Sequence, residues 1–157
     1  MLIELYGLHG RGVATACKIL ADACASSNFH VQAMVKEDDE GYKSAFIKFD
    51  NVLADKTFQG PDFIIFMDDI DIKSKSLKEK SIVVHNSKQR IENALYKKKK
   101  IKSHYVDAFS ISLKPNIVML GALSKLCSKI SATSVKAVLK NYKISAQDFE
   151  EGYRGVK

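Results

Sequence analysis

Leu2-Ile3-Glu4-Leu5-Tyr6-Gly7-Leu8-His9-Gly10-Arg11-Gly12-Val13-Ala14-Thr15-Ala16-Cys17-Lys18-Ile19-Leu20 is the stretch that decides how this chain is read. Leu2, Ile3, Leu5 and Tyr6 carry the apolar pattern of a strand, and the residues from Val13 onward read as a helix. Gly7, Gly10 and Gly12 stand at the junction, where the absence of Cβ lets the chain turn tightly and lets helix lie close on strand. This is the start of a doubly wound α/β fold. The first helical N–H groups then face outward at the positive end of the helix dipole, a place where a phosphate or carboxylate can sit. The glycine order is G-x-x-G-x-G rather than the dinucleotide G-x-G-x-x-G, and Val13-Ala14 stand where a P-loop needs Lys and Ser or Thr. An acid for a ribose hydroxyl is offered only loosely, by Glu37 to Glu40.

Outward from this turn, a helix over about 12 to 26 leads through Ser26-Ser27-Asn28 into a second strand, Phe29 to Val35. Ser44 to Phe49 reads as a third, paired with the second across a charged turn, so the sheet is expected to be mixed. Phe63-Ile64-Ile65-Phe66-Met67 is a continuous apolar run, typical of a strand covered on both faces. At its end Asp68-Asp69-Ile70-Asp71 reads as a solvent-facing loop with a helix N-cap rather than a magnesium site, since no supporting ligands accompany it. Ser81 to Asn86 is the next strand, and Ile101 to Phe109 a further extended segment. Asn116 to Lys129 is an apolar helix that Asn116 can cap, and Gly121 with Ala122 allow another backbone to approach, inside the fold or from another subunit. A helix from Ser131 or Thr133 to Tyr142 and a short one from Ser145, which Gly152 can end, complete the chain. The expectation is one domain over residues 1–157: an α/β, Rossmann-like three-layer fold with a mostly parallel, mixed sheet.

At 157 residues such a chain can bury roughly two thirds of its unfolded surface without disulfides or metals. No apolar run approaches the eighteen or so residues of a membrane span, and the N-terminal residues do not read as a signal peptide. The expected compartment is the cytoplasm. Cys17, Cys24 and Cys127 lack any C-x-x-C spacing and read as small buried hydrophobes. His9, His30, His85 and His104 are scattered, so no metal site is expected. The net charge of +7 is nearly all lysine, sharpest at Lys97-Lys98-Lys99-Lys100 with Lys102. Arginine occurs only at Arg11, Arg90 and Arg154, and no basic–aromatic alternation accompanies them. The lysine run reads first as a solvated helix end or loop, second as a surface for an acidic partner, and only third as a contact for nucleic acid. G-x-S-x-G, H-E-x-x-H and paired-cysteine motifs are absent, and no catalytic residue is assigned.

Taken in order, the motifs resemble the gamma subunit, or gamma domain, of the 2-oxoacid:acceptor oxidoreductases. Gly7-Leu8-His9-Gly10-Arg11-Gly12-Val13 and Ala16-Cys17-Lys18-Ile19-Leu20-Ala21 are similar to the family's strand, G-x-G-G-Q-G-V turn and A-A-K-I-L helix. Val31-Gln32-Ala33 resembles its second strand, Pro61-Asp62-Phe63-Ile64-Ile65 its P-D strand, and Val83-Val84-His85-Asn86-Ser87 its strand ending in N-S. Asn116-Ile117-Val118-Met119-Leu120-Gly121-Ala122-Leu123 resembles its N-M-V-M-L-G-A-L helix, and Asn141 with Phe149-Glu150-Glu151-Gly152-Tyr153 its closing pattern. Two departures stand out. His9 and Arg11 replace a Gly and a Gln, and Lys36 to Lys43 replaces a loop like Y-G-P-E-x-R-G-G, losing its arginine and glycine pair.

The resemblance implies a non-catalytic subunit of an assembly that oxidatively decarboxylates a 2-oxoacid such as pyruvate to an acyl-coenzyme A and passes electrons to ferredoxin or a similar acceptor. It implies no cofactor on this chain, with thiamine diphosphate and iron–sulfur clusters on partner alpha, beta and ferredoxin-like delta subunits. Gly7, His9, Gly10, Arg11 and Gly12 are then the candidate contact with an anion, coenzyme A or a subunit, and Asn116, Gly121 and Ala122 the candidate close-packing interface. The alternative is a stand-alone nucleotide- or anion-binding α/β module that has left the complex.

Overall fold

The computed structural model describes residues 1–39, 41–52, 60–68, 77–91 and 93–157. The decisive stretch folds as read: strand β1 (Leu2–Leu8) enters the glycine turn, and helix α1 (Val13–Ser26) leaves it. Strands β2 (His30–Glu37) and β3 (Tyr42–Asp50) follow as an antiparallel pair. Then come β4 (Phe63–Phe66), β5 (Ile82–Asn86), α2 (Ala94–Lys98), β6 (Lys102–Val106), α3 (Ala108–Ile111), α4 (Pro115–Leu126), α5 (Ala132–Asn141) and α6 (Gln147–Gly155).

The six strands form one sheet in the order β2-β3-β1-β4-β5-β6. β1, β4, β5 and β6 run parallel, while β3 is antiparallel to both β1 and β2. The mixed sheet expected from the hairpin-like pattern is therefore present, with its parallel part on one side of β1 and its antiparallel part on the other. Because strand side chains alternate, the two faces take different partners. Ile3, Leu5, Phe63, Ile65 and Val84 pack with α1, α4, α5 and α6 in the main core. Ile64, Phe66 and Val83 join Leu77 and Tyr96, the latter from α2, in a smaller one.

α4 is buried on every side from Ile117 to Ser124. It can be so because α6 lies directly across it. A Cβ on Gly121 would fall on the Phe149 carbonyl oxygen, and one on Gly152 on the Val118 carbonyl oxygen. Gly152 thus sits inside α6, which continues to Gly155, and does not end it. It is a contact glycine, not a cap. Two other boundaries move for local reasons. The extended segment stops at Val106, because the Asp107 side chain accepts from Ser110 N and starts α3, which takes in Phe109. Pro115 opens α4 at its first turn, as its fixed φ and missing N–H allow, while Asn116 turns its amide away to Gly12 and caps nothing in α4.

Candidate functional site

The glycine turn lies at the C-terminal ends of the parallel strands, the edge at which open α/β sheets hold their ligands. Gly12 ends the turn at φ 76°, a left-handed conformation that costs a side chain but not glycine. A Cβ there would also stand 2.5 Å from Asn116 Nδ2. No side chain caps the N-terminus of α1.

Asp68, at the end of β4, organises the turn. Its Oδ2 accepts from Leu8 N at 2.8 Å, and its Oδ1 lies 2.7 Å from Arg11 Nε. Only 8% of the Asp68 side chain is exposed, so it is an internal anchor and not the solvent-facing residue that its acidic string suggested. Asp69 and Asp71 lie outside the described residues. The Arg11 guanidinium, thus held, lies over the Phe109 ring at 4.8 Å, a cation–π contact. Phe109 is itself placed by Asn86, whose amide donates to Met67 O and accepts from Ala108 N, both at 2.9 Å. The N-S end of β5 is therefore a clamp between β4 and α3.

On the other flank the β2–β3 hairpin closes on the turn. His9 N donates to Gly41 O at 2.9 Å, and His9 Nδ1 lies 3.0 Å from Glu37 Oε1. Lys43 Nζ reaches Glu37 Oε2 at 3.2 Å. Hydrogen bonds from His9 and then Lys43 hold the Glu37 carboxyl below its ordinary range. Glu37 is thereby committed within the chain and not turned to a ribose.

Charge at this edge is balanced: Arg11 faces Asp68, and Lys43 faces Glu37. A phosphate approaching the turn would meet the α1 dipole, but also two carboxylates already holding the local cations. Exposed apolar side chains accompany these pairs. Leu8, Phe109, Ile111 and Leu113 are 38%, 45%, 38% and 103% exposed; Phe109 and Ile111 belong to α3, and Leu113 to the segment joining α3 to α4. Exposed apolar side chains set among paired charges are the composition of a protein-docking surface. These four residues and Asp68 were not singled out as contacts in the sequence, because an isolated Leu or Phe there looks like core. The one available signal was that L-K-P ends a helix and leaves Leu113 on a connection.

Of the residues proposed for close packing, Gly121 and Ala122 lie inside the chain, Gly121 against α6. Asn116 alone reaches the glycine turn, donating to Gly12 O at 3.4 Å. Cys17, Cys24 and Cys127 are buried, and burial pushes the Cys17 thiol up to about 11 and that of Cys24 to about 12. Among the described residues no group of three or more His, Cys, Asp or Glu could hold a metal ion, and no helix is long and apolar enough to cross a membrane.

With this geometry in hand, the comparison with known proteins is decisive: residues 3–152 match the pyruvate ferredoxin/flavodoxin oxidoreductase family. The chain belongs to that family. It is 28% identical to the common gamma subunit of the pyruvate/ketoisovalerate oxidoreductases of Pyrococcus furiosus, over 88% of this chain and 84% of that one. Its fold superposes on a pyruvate oxidoreductase subunit of Thermotoga maritima with a TM-score of 0.76 at 21% identity, covering 100% and 97% of the two chains. It also matches part of the 2-oxoglutarate:ferredoxin oxidoreductase of Magnetococcus marinus, solved with 2-oxoglutarate, coenzyme A and succinyl-CoA. There the TM-score is 0.81 at 18% identity, over 98% of this chain and 30% of the longer one. The same fold thus occurs both as a separate subunit and as a segment of a larger chain.

Proposed function

We propose that this chain is the gamma subunit of a 2-oxoacid:ferredoxin or related acceptor oxidoreductase, and that it joins the assembly through its glycine-turn edge. The complex oxidatively decarboxylates a 2-oxoacid such as pyruvate to an acyl-coenzyme A. Thiamine diphosphate and iron–sulfur clusters belong to alpha, beta and ferredoxin-like delta partners, in the cytoplasm, and this chain supplies structure rather than chemistry. The observation that carries the docking role is the exposure of the apolar residues Leu8, Phe109, Ile111 and Leu113, Phe109 lying against Arg11, while the charges of the turn are internally satisfied. Coenzyme A, if it reaches this edge, meets the uncapped start of α1 while the nearby cations remain on their carboxylates. Nothing in the chain's relatives favours the stand-alone anion-binding module, and the balanced charge of the turn argues against it.

The test is anaerobic capture of the tagged chain from its native cells, with mass spectrometry and assay of thiamine and iron in the eluate. Thiamine- and iron-bearing partners in fixed ratio are the expected result. Recovery of the chain alone, free of both, would overturn the proposal.

A further inference from the structure

The two margins of the sheet are finished differently. At β6 the chain covers its own edge: Tyr105 N donates to Lys157 O and Lys157 N to Tyr105 O, both at 3.0 Å, and the Arg90 guanidinium donates to Ser103 O. At β2, the opposite margin, no described residue pairs with the outer side. β2 is 8 residues long and exposed at every position but Val31, with Met34 at 50% and Val35 at 42%. A long exposed edge of this kind is a template for another strand. A lysine on such an edge ordinarily defends it, but Lys36 is turned back onto its own sheet, its Nζ 5.7 Å from the centroid of the Phe46 ring.

The backbone groups offered by this edge follow from the ladder. Asp38 N donates to Tyr42 O, and an antiparallel pair alternates from there. With Lys36 opposite Ser44, Met34 opposite Phe46, Gln32 opposite Lys48 and His30 opposite Asp50, those residues bond to β3. Phe49 N donating to Met1 O sets the same alternation from the β1 side. Val31, Ala33, Val35 and Glu37 therefore turn N–H and C=O outward. Their spacing is self-complementary. A second β2, laid antiparallel about a two-fold axis at Met34, sets Val31 against Glu37 and Ala33 against Val35, so that each of the four finds both its bonds. Moving the axis to Ala33 leaves Glu37 unpaired and brings His30 opposite Lys36, and moving it to Val35 leaves Val31 unpaired. With the axis at Met34 no like charges stand opposite, since Lys36 meets Gln32 and Glu37 meets Val31. The two Met34 side chains then meet in a non-hydrogen-bonded pair, the closer kind, with about 4.5 Å between Cα atoms.

We infer that β2 is a self-association strand, through which two copies of this chain join edge to edge about a two-fold axis at Met34 and make one continuous sheet. Pairing β2 of one copy with β6 of the next would give an open, head-to-tail array, and the Lys157 and Arg90 contacts on β6 block it. The Glu37 carboxylate stays with His9 and Lys43, because only its backbone enters the pair. A single strand pair is a small interface, below about 1,200 Å², so the dimer belongs to the weak class, with a Kd of about 1–100 μM. The inference is independent of the gamma-subunit reading, since it concerns the chain by itself.

The experiment is sedimentation equilibrium of the full chain up to about 0.5 mM, and a two-fold dimer is the expected result. Ala33→Pro removes an outward N–H and none of the bonds to β3, the position at which an edge strand accepts proline. It is expected to weaken the dimer about tenfold or more with an unchanged circular dichroism spectrum. Met34→Lys and Met34→Glu leave the backbone intact and place like charges across the axis, so each alone is expected to weaken the dimer about fivefold or more. Mixing the two variants is expected to restore association as a heterodimer, which only a pair meeting at residue 34 would do. A parent chain that stays monomeric at about 0.5 mM overturns the proposal. So does a folded Ala33→Pro that dimerises as well as the parent, or a mixture of Met34→Lys and Met34→Glu that associates no better than either alone.

Discussion

Asp68 shows how one side chain can decide the character of a site. It is buried, it accepts from the backbone of the glycine turn, and it neutralises the arginine that distinguishes this turn from the family pattern. Arg11 is 45% exposed, so screening leaves the ion pair itself little weight, and the larger share rests on the half-buried bond to Leu8 N. Asp68→Ala is expected to cost about 1–3 kcal/mol, seen as a lower urea midpoint at unchanged slope, and Asp68→Asn to recover part of that by keeping an acceptor. A midpoint equal to the parent's in Asp68→Ala would remove the anchor role. Glu4 makes the opposite case. Burial raises its pKa above the ordinary 4.5, opposed by a hydrogen bond from Tyr6, which donates to its Oε2 at 2.7 Å. A raised carboxyl pKa means that the folded state holds the proton more tightly than the unfolded one, so the group costs stability as pH rises from 4.5 through its folded value. Glu4→Gln keeps the acceptor and lacks the charge. It is therefore expected to be more stable than the parent at pH 7, with the difference closing near pH 4; a difference that widens as the pH falls would contradict this.

At the scale of elements, the α4–α6 crossing is the most constrained contact in the chain. Two glycines bring backbone against backbone, each one's missing Cβ vacating the space of the other helix's carbonyl. Alanine has the better helix propensity by about 1 kcal/mol, so propensity alone would make Gly152→Ala stabilising. The collision with Val118 O opposes it, and forcing α6 outward also loosens the fully buried Phe149. Overpacking of this kind costs about 1–3 kcal/mol, and a net loss of thermal stability is expected for Gly152→Ala and Gly121→Ala alike, measured by circular dichroism melts. Equal or higher melting temperatures would show that the helices can separate without loss. The β2–β3 hairpin is constrained differently. Its far strand is exposed along most of its length, and the hydrogen bond from His9 N to Gly41 O, with the His9–Glu37–Lys43 chain, fastens its tip to the turn.

For the whole molecule, the surface of the described residues includes exposed apolar side chains beside the glycine turn and the exposed edge strand β2. The first bears on assembly. Leu113 is fully exposed, so Leu113→Asp removes no internal packing and should leave the stability of the isolated chain within about 0.5 kcal/mol of the parent. Its expected effect is loss of partner subunits from the anaerobic capture. Retention of the partners by Leu113→Asp, and by the pair Phe109→Ser with Leu113→Asp, would place the docking surface elsewhere.

The order of the strands and of the longer helices, the hairpin, the burial of the cysteines and the family were legible in the sequence, because each rests on local periodicity or on motifs that recur at fixed positions along the chain; the short helices α2 and α3 were not, since a helix of about one turn shows no period. Glycine was legible as a type but not as a role. Gly152 has the same neighbours in sequence whether it ends a helix or crosses one, and only the arrival of α4 from thirty residues earlier selects the second. The same holds for the site: Asp68 is one acid in an acidic string until the parallel pairing of β1 with β4 sets it beneath Leu8 and Arg11. Which charges are neutralised, and by which partner, depends on distances between residues far apart in the chain, and tertiary packing alone sets those distances.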